Sequence, residues 1–342
     1  MNEQVTLSFI VPAYNVSAYL RRCLSSLISC DASDVEVVLV DDGSTDDTGL
    51  IADGYAQAHP EMFKVIHQHN LGHGGAINSG LAHSTGAYVK VVDADDWVDP
   101  SSVILVLEAL RRQLRQSCAP DVVVTNYVYE RERRLFKHVV RFDNVMTSGR
   151  NISWDEVGPF RTNQYLMMHS LIFKASVLRI SQMRLPLHMY YVDFIFSYQP
   201  LPCTSTLLYI NTNFYHYYTG RKGQSVETKT MVSRITQLLS VNQIMTKLTP
   251  NPETVPRGLY RYMIHYLSIN CVITSTFLIL SKKQENYRIK QHLWQQLENR
   301  SPVIADDVRS STLCKLINIP GQPGRLMIRC GYRIAEAAIG FN

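Results

Sequence analysis

The sequence predicts an α/β protein: a mostly parallel sheet flanked by helices, followed by a mainly helical C-terminal region. Three observations carry this. Strand-like and helix-like periodicities alternate through the first hundred residues, the pattern of strands joined by crossover helices. The apolar segments end abruptly, at Pro12-Ala13-Tyr14-Asn15, at Asp41-Asp42-Gly43 and at Asp93-Ala94-Asp95-Asp96, and ligands of such sheets gather beyond the C-terminal strand ends. From about residue 226 onward the apolar spacing is that of helices.

Taken in order, Val5–Val11 is a short apolar run and reads as a buried strand. Ser17–Ser29 places Tyr19, Leu20, Cys23, Leu24, Leu27 and Ile28 on one helical face. Val35–Val40 is a β-branched strand, Thr48–Ala58 a helix, Phe63–His67 a strand and Gly74–His83 a helix. Tyr88–Val92 is the fourth strand. A helix over Ser101–Gln116 and a strand over Val122–Tyr129 follow. Residues 130–225 mix short strands, turns and aromatic pieces, the expected extension of one domain spanning 1–225, whose first half is 1–105. Residues 226–342 form the helical region, with a Pro/Gly break near Ile319–Gly324. Within it Tyr262–Leu280 is long enough to test as a membrane span, but His265, Ser268, Asn270, Thr274 and Ser275 favour a buried core helix.

The composition is that of a globular chain, 46% hydrophobic and 18% charged over 342 residues. Seven widely spaced cysteines without a Cys-x-x-Cys pair read as reduced thiols, excluding a disulfide framework or a structural zinc site. The N-terminus lacks the basic-then-apolar order of a signal peptide, so a cytoplasmic protein is expected. The net charge of +5 conceals an asymmetry. Residues 1–100 carry 4 Lys/Arg against 14 Asp/Glu, and residues 101–342 carry 30 against 15. The acidic part is the place for a cation site; the basic part suits a phosphate-bearing substrate or an anionic membrane surface. No helix-turn-helix, zinc-finger or RNA-binding motif supports nucleic acid as a partner.

Three carboxylates in Asp93–Asp96 repel one another unless something positive is bound. Alternate residues 93 and 95 can face one side of a strand end and grip Mg²⁺ or Mn²⁺, whose shell is usually completed by substrate phosphates. Alone, an Asp-x-Asp turn is more often a solvated helix cap. Here two further strand ends supply an aromatic with an amide, Tyr14 and Asn15, and a carboxylate pair, Asp41 and Asp42. Stacking on a base, hydrogen bonds to a nucleoside and a metal on a diphosphate together suit a nucleotide.

Four segments, Val11-Pro-Ala-Tyr-Asn15, Val40-Asp-Asp-Gly-Ser-Thr-Asp-Asp-Thr48, Asn70-Leu-Gly-His-Gly-Gly-Ala-Ile-Asn-Ser-Gly80 and Val92-Asp-Ala-Asp-Asp-Trp97, resemble family 2 glycosyltransferases in order and spacing. The resemblance implies a GT-A fold and inverting transfer of a sugar from a nucleotide diphosphate, a UDP-sugar foremost, to a glycan or lipid-linked hydroxyl in bacterial surface-polysaccharide synthesis. It places Tyr14 and Asp42 at the base, Asp93 near ribose and metal, and Asp95 on the metal. Pro12, Asn15, Asp41, Gly74, Asn78 and Ala94 complete the donor-side set. Ile77 stands where many members carry arginine, so a cation near the diphosphate is expected from elsewhere.

By the same resemblance Tyr190-Tyr-Val-Asp-Phe-Ile-Phe196 matches the acceptor-side element whose aspartate is the general base, giving Asp193, with Val192 at the usual glutamate position. Phe214–Ser225 resembles the late Tyr-rich strand and basic loop, implying Arg221, Lys222 and Ser225 at the diphosphate and His216 as a further metal ligand. Asn163 and His169 are expected to line the acceptor cleft. Residues 325–341, with Arg325, Arg329 and Arg333 at every fourth position, form an amphipathic basic segment. It is expected either to dock on the protein's own core or to lie on the inner membrane face. Two rivals stand beside this reading: a sugar nucleotidyltransferase, which lacks its Gly-rich loop here, and a nucleotide-sugar-binding subunit without catalysis.

Overall fold

The computed structural model describes residues 5–28, 33–131, 137–219 and 227–339. The chain divides into two compact units, one of residues 1–158 and 166–219, the other of 159–165 and 220–342.

The first unit runs β1 (Leu7–Ala13), α1 (Ser17–Ile28), β2 (Val35–Asp41), α2 (Thr48–Ala58), β3 (Phe63–His67), α3 (Gly72–His83), β4 (Tyr88–Val91), β5 (Trp97–Val98), α4 (Pro100–Arg115), β6 (Val122–Arg131), β7 (His138–Val140), β8 (Asn151–Ser153), β9 (Leu171–Lys174), α5 (Ala175–Ile180), α6 (Val192–Tyr198) and β10 (Thr206–Thr219). The sheet order is β3-β2-β1-β4-β9-β6-β10-β5, with β7 added beside β6 and β8 beside β10. β3, β2, β1 and β4 are parallel, and β1 is buried along its whole length, as a central strand requires. β9 then runs antiparallel to both β4 and β6, and parallel pairing resumes between β6 and β10. The sheet is therefore mixed, with its parallel strands concentrated where the acidic turns emerge.

Crossover helices begin at the C-terminal ends of these strands, so each strand-end loop is also a helix entry. Asp99 caps α4 through Ser102 N at 2.8 Å, and Pro100 occupies the first helical position, where a missing N–H costs nothing.

The second unit holds α7 (Thr228–Ser233), α8 (Ile235–Leu248), α9 (Arg257–Leu280), α10 (Gln284–Arg300), α11 (Pro302–Ser310), α12 (Thr312–Ile317) and α13 (Gly321–Ile339). α9 is long and apolar enough to cross a membrane, yet 72% of its most apolar window is buried inside the unit. Its polar side chains tie neighbouring helices together. Asn242 Nδ2 donates to Asn270 Oδ1 at 2.8 Å, and Trp294 Nε1 to Ser275 Oγ at 3.2 Å. These pairs make it the core helix expected from its polar content. α13 docks on the same unit through Tyr332, which stacks edge-on against Phe277 and shares a 2.8 Å hydrogen bond with Thr228. Arg329 donates to the Tyr287 hydroxyl, and Arg325 lies over that ring. Leu326, Met327 and Ile334 stay exposed on its outer side.

Candidate functional site

The first two strand ends are locked together by side chains that accept from backbone. Asn15 sits in the left-handed region (φ 50°), which Asn tolerates, and its Oδ1 accepts from Thr45 N at 2.8 Å. Asp42 is buried, and its carboxylate accepts from Gln68 Nε2, Leu71 N and Gly72 N at 2.6, 2.8 and 2.8 Å. Asp41 accepts from Ser44 N at 3.0 Å and meets His67 Nδ1 at 2.9 Å. The pair thus holds the loop after β3 in place. Tyr14 is half-exposed beside them.

Beyond β4 the chain turns through Asp93–Asp96. Asp96 is buried; its Oδ2 accepts from the Tyr215 hydroxyl at 2.7 Å and its Oδ1 from Tyr218 N at 2.7 Å. The Tyr215 hydroxyl in turn accepts from Asp93 N at 3.1 Å, so β10 fixes the turn from below. Burial, reinforced by the charge of Asp93, holds the Asp96 carboxyl well above the ordinary carboxylate range. On the outside, Arg22 of α1 donates to the Asp95 carbonyl at 2.8 Å and stacks on Trp97 with 3.9 Å to the ring centroid. Asp93 and Asp95 are left half-buried at the tip.

Behind the turn lies a lysine with no exposure. Lys90 Nζ donates to the carbonyls of Met168, His169 and Leu171 at 2.8, 2.7 and 3.2 Å, matching three N–H donors to three acceptors. Burial brings its pKa down to about 7, against the opposing charges of Asp93 and Asp96. The carbonyls belong to the turn that presents His169.

The entry of α3 forms the third wall. A Cβ on Gly72 would lie 2.8 Å from His188 Cα, and one on Gly74 2.5 Å from the Pro186 carbonyl oxygen. Asn78 finishes the seam like a length of backbone: its Nδ2 donates to Leu185 O at 2.8 Å and its Oδ1 accepts from Leu185 N at 2.9 Å. The docked loop leads through Tyr191, at φ 65°, into α6 and Asp193. A bulky residue in that region is strained, and strain of this kind concentrates at functional sites. Gly74→Ala is expected to cost about 1–3 kcal/mol, read from the urea midpoint, because backbone rather than a flexible side chain must give way. An unchanged midpoint would show that the loop is not seated there.

Asp193 thereby comes within electrostatic reach of His73 and Asp93 from the far half of the unit. Burial pushes its pKa up to about 6, with His73 opposing and Asp93 adding to the rise. His73 Nε2 lies 2.8 Å from Asp93 Oδ1. For Asp93, burial is outweighed by that hydrogen bond and by the charges of His73 and Lys90, leaving its pKa below the ordinary value.

The sequence-derived residues therefore separate. Asp93 and Asp193 come within electrostatic reach of each other, Asp95 and the buried Ala94 share the turn with Asp93, and Tyr14, Asn15, Asp41 and Asp42 line the adjoining strand ends. Pro12 pairs with Val40 inside the sheet, Gly74 meets the Pro186 loop, and the Asn78 amide is committed to Leu185. His216 stacks on Trp97 and shares Nδ1 with Glu130 at 2.8 Å. Asn163 is exposed in the second unit, whereas His169 is buried beside Asp93. Arg221, Lys222 and Ser225 lie outside the described residues.

The residues present fit a divalent ion. Asp93, Asp96 and His169 each offer a ligand atom within 4.8 Å of the others. His169 is buried, its Nδ1 lacks a partner, and burial lowers its pKa to about 4, leaving a neutral imidazole. Lys90, His73 and Arg22 were not singled out from the sequence. Only Lys90 left a signal, a charge inside the apolar strand Tyr88–Val92.

Comparison with known proteins follows the same lines. Residues 8–176 match the family model described as glycosyl transferase family 2. Chondroitin synthase of Escherichia coli is 37% identical over 132 residues, which is 39% of this chain but only 19% of that protein. The putative glycosyltransferase EpsH of Bacillus subtilis is 24% identical over 353 residues, covering 97% of this chain and 93% of the relative. Among solved structures, S. aureus TarS 1-349 in complex with UDP-GlcNAc superimposes with a TM-score of 0.66 at 17% identity, over 98% of this chain and 91% of that one.

Proposed function

Because the chain belongs to glycosyl transferase family 2 and has the GT-A fold, we propose that it is an inverting enzyme that moves a sugar from a UDP-sugar to a glycan or lipid-linked hydroxyl. The process would be synthesis of a bacterial surface polysaccharide at the cytoplasmic side of the membrane. The observation that carries the chemistry is an Asp193 carboxyl raised by burial within electrostatic reach of Asp93 and His73. A carboxylate with a pKa near 6 is ionised at neutral pH yet basic enough to take the acceptor proton as the diphosphate leaves from the opposite side.

Tyr14 stacks on the base, Asp41 and Asp42 hold the loop that receives the nucleoside, and α3 presents its N-terminus to the diphosphate. Asp93 is the carboxylate offered to Mn²⁺ or Mg²⁺ together with Asp96 and His169, whose ligand atoms cluster with it; Asp95, two residues on in the same turn, is our further candidate, and His216 has only Nε2 left to give. Such an ion, when bound, neutralises charge developing on the departing diphosphate. TarS, seen with UDP-GlcNAc, supports a donor of that class. The exposed Leu326, Met327 and Ile334 beside Arg333 of α13 support a peripheral contact with anionic lipid.

The test is thermal shift with a panel of nucleotides and nucleotide sugars, with and without Mn²⁺, on wild type and Asp95→Ala. A ligand at a hundred times its dissociation constant adds about 2.7 kcal/mol. Metal-dependent stabilisation by UDP species, lost in Asp95→Ala, is the expected result; indifference to every nucleotide would remove the donor site.

A further inference from the structure

Resting on that donor-site reading, we infer that His73 is a positioning residue: its Nε2 holds Asp93 in the orientation the metal–nucleotide complex requires. Three carboxylates from three separate elements lie within electrostatic range of this imidazole: Asp93 after β4, which it contacts, Asp193 in α6 and Asp42 after β2. Asp93 is bound at Oδ1, 2.8 Å from Nε2. With its backbone N–H already given to Tyr215, the residue is thereby fixed at both ends.

The position in the helix explains why this work falls to residue 73. Residues 73 and 77 are one turn apart on one face of α3, and helical side chains lean toward the N-terminus. Ile77 is fully buried in the core, so nothing polar at 77 serves the cleft. His73, one turn earlier on α3 and 38% exposed, is the residue of that face that reaches Asp93. The imidazole also sits within electrostatic range of both Asp93 and Asp193. It bridges the metal side and the acceptor side of the site.

The experiment compares wild type, His73→Ala, His73→Gln and Asp95→Ala as full chains. Titration calorimetry measures UDP binding in the presence of Mn²⁺, and a melting curve is recorded for each variant without ligand. Side chains that orient metal-site carboxylates are worth 10- to 100-fold in affinity. His73→Ala is expected to weaken Mn²⁺–UDP binding by about that factor with its unliganded melting temperature little changed. Gln, whose amide also donates, should recover most of the loss; a residue that merely fills space would not be rescued this way. Wild-type affinity in His73→Ala, with binding abolished in Asp95→Ala, would overturn the inference and leave the donor site standing. Absence of binding in wild type to UDP or GDP with Mn²⁺ would overturn the donor-site reading and the inference with it.

Discussion

Asp193→Asn is expected to abolish sugar transfer while making the folded protein more stable at pH 7. Loss of a general base typically costs 10²- to 10⁴-fold in rate, and Asn is nearly isosteric, so the cleft should keep its shape. The stability gain follows from the pKa. Burial raises the carboxyl from 3.8 to about 6 in the folded state. A group shifted upward contributes stability that is complete below its unfolded pKa and is lost as pH rises through its folded one. At pH 7 the native enzyme therefore carries the cost of a buried charge, whereas Asn mimics the protonated form. One pKa unit corresponds to about 1.4 kcal/mol, so the variant should gain roughly 1–3 kcal/mol at pH 7 and little below pH 4. Urea midpoints at the two pH values measure this. In wild type kcat/KM should fall about tenfold per unit below pH 6, once an acceptor is in hand. Activity within tenfold of wild type would place the base elsewhere; a variant destabilised at pH 7 would mean that Asp193 is partnered rather than poised.

How far the sequence disclosed this site depended on which interactions leave a trace in side-chain pattern. Thr48–Ala58 and Phe63–His67 emerge with the boundaries expected, because periodicity and flanking turn residues agree there. The insertion of β9 between β4 and β6 was not legible, since a short apolar run carries no record of strand direction. Nor was β10 as a single strand of fourteen residues. It runs through the polar Asn211–Asn213 stretch, with register irregularities beside β6, in a part of the chain where the periodicity blurs. In the site itself, the residues types that bear charge were visible, and their partners were not. Asp42 and Asn78 spend their side chains on backbone groups 29 and 107 residues distant, and backbone groups look alike in any sequence. His73 was passed over because its meaning depends on Asp93 lying 2.8 Å away in the fold.

Lys90→Met is expected to be among the most damaging single changes in the first unit, although it replaces a buried charge by an apolar chain of similar length. Exchanging buried ionic groups for hydrophobic ones is often harmless when every partner is exchanged together. Here the partners are the carbonyls of Met168, His169 and Leu171, which remain when the ammonium goes. A buried acceptor left without a donor costs about 1–3 kcal/mol. The loss of three at once, eased by local movement of the turn, should total roughly 3–5 kcal/mol, the range seen when one side of a buried ionic contact is removed. Methionine recovers the packing of the lysine stem, so the deficit isolates the polar contacts from the cavity that Lys90→Ala would add. The site should suffer with the fold, because the same turn presents His169 to Asp93 and because Lys90 helps hold Asp93 ionised. A urea midpoint lowered at constant slope would verify the energetic part. A change below about 0.5 kcal/mol would mean that the three carbonyls find other donors, and that the turn beneath the acidic cluster is held by packing alone.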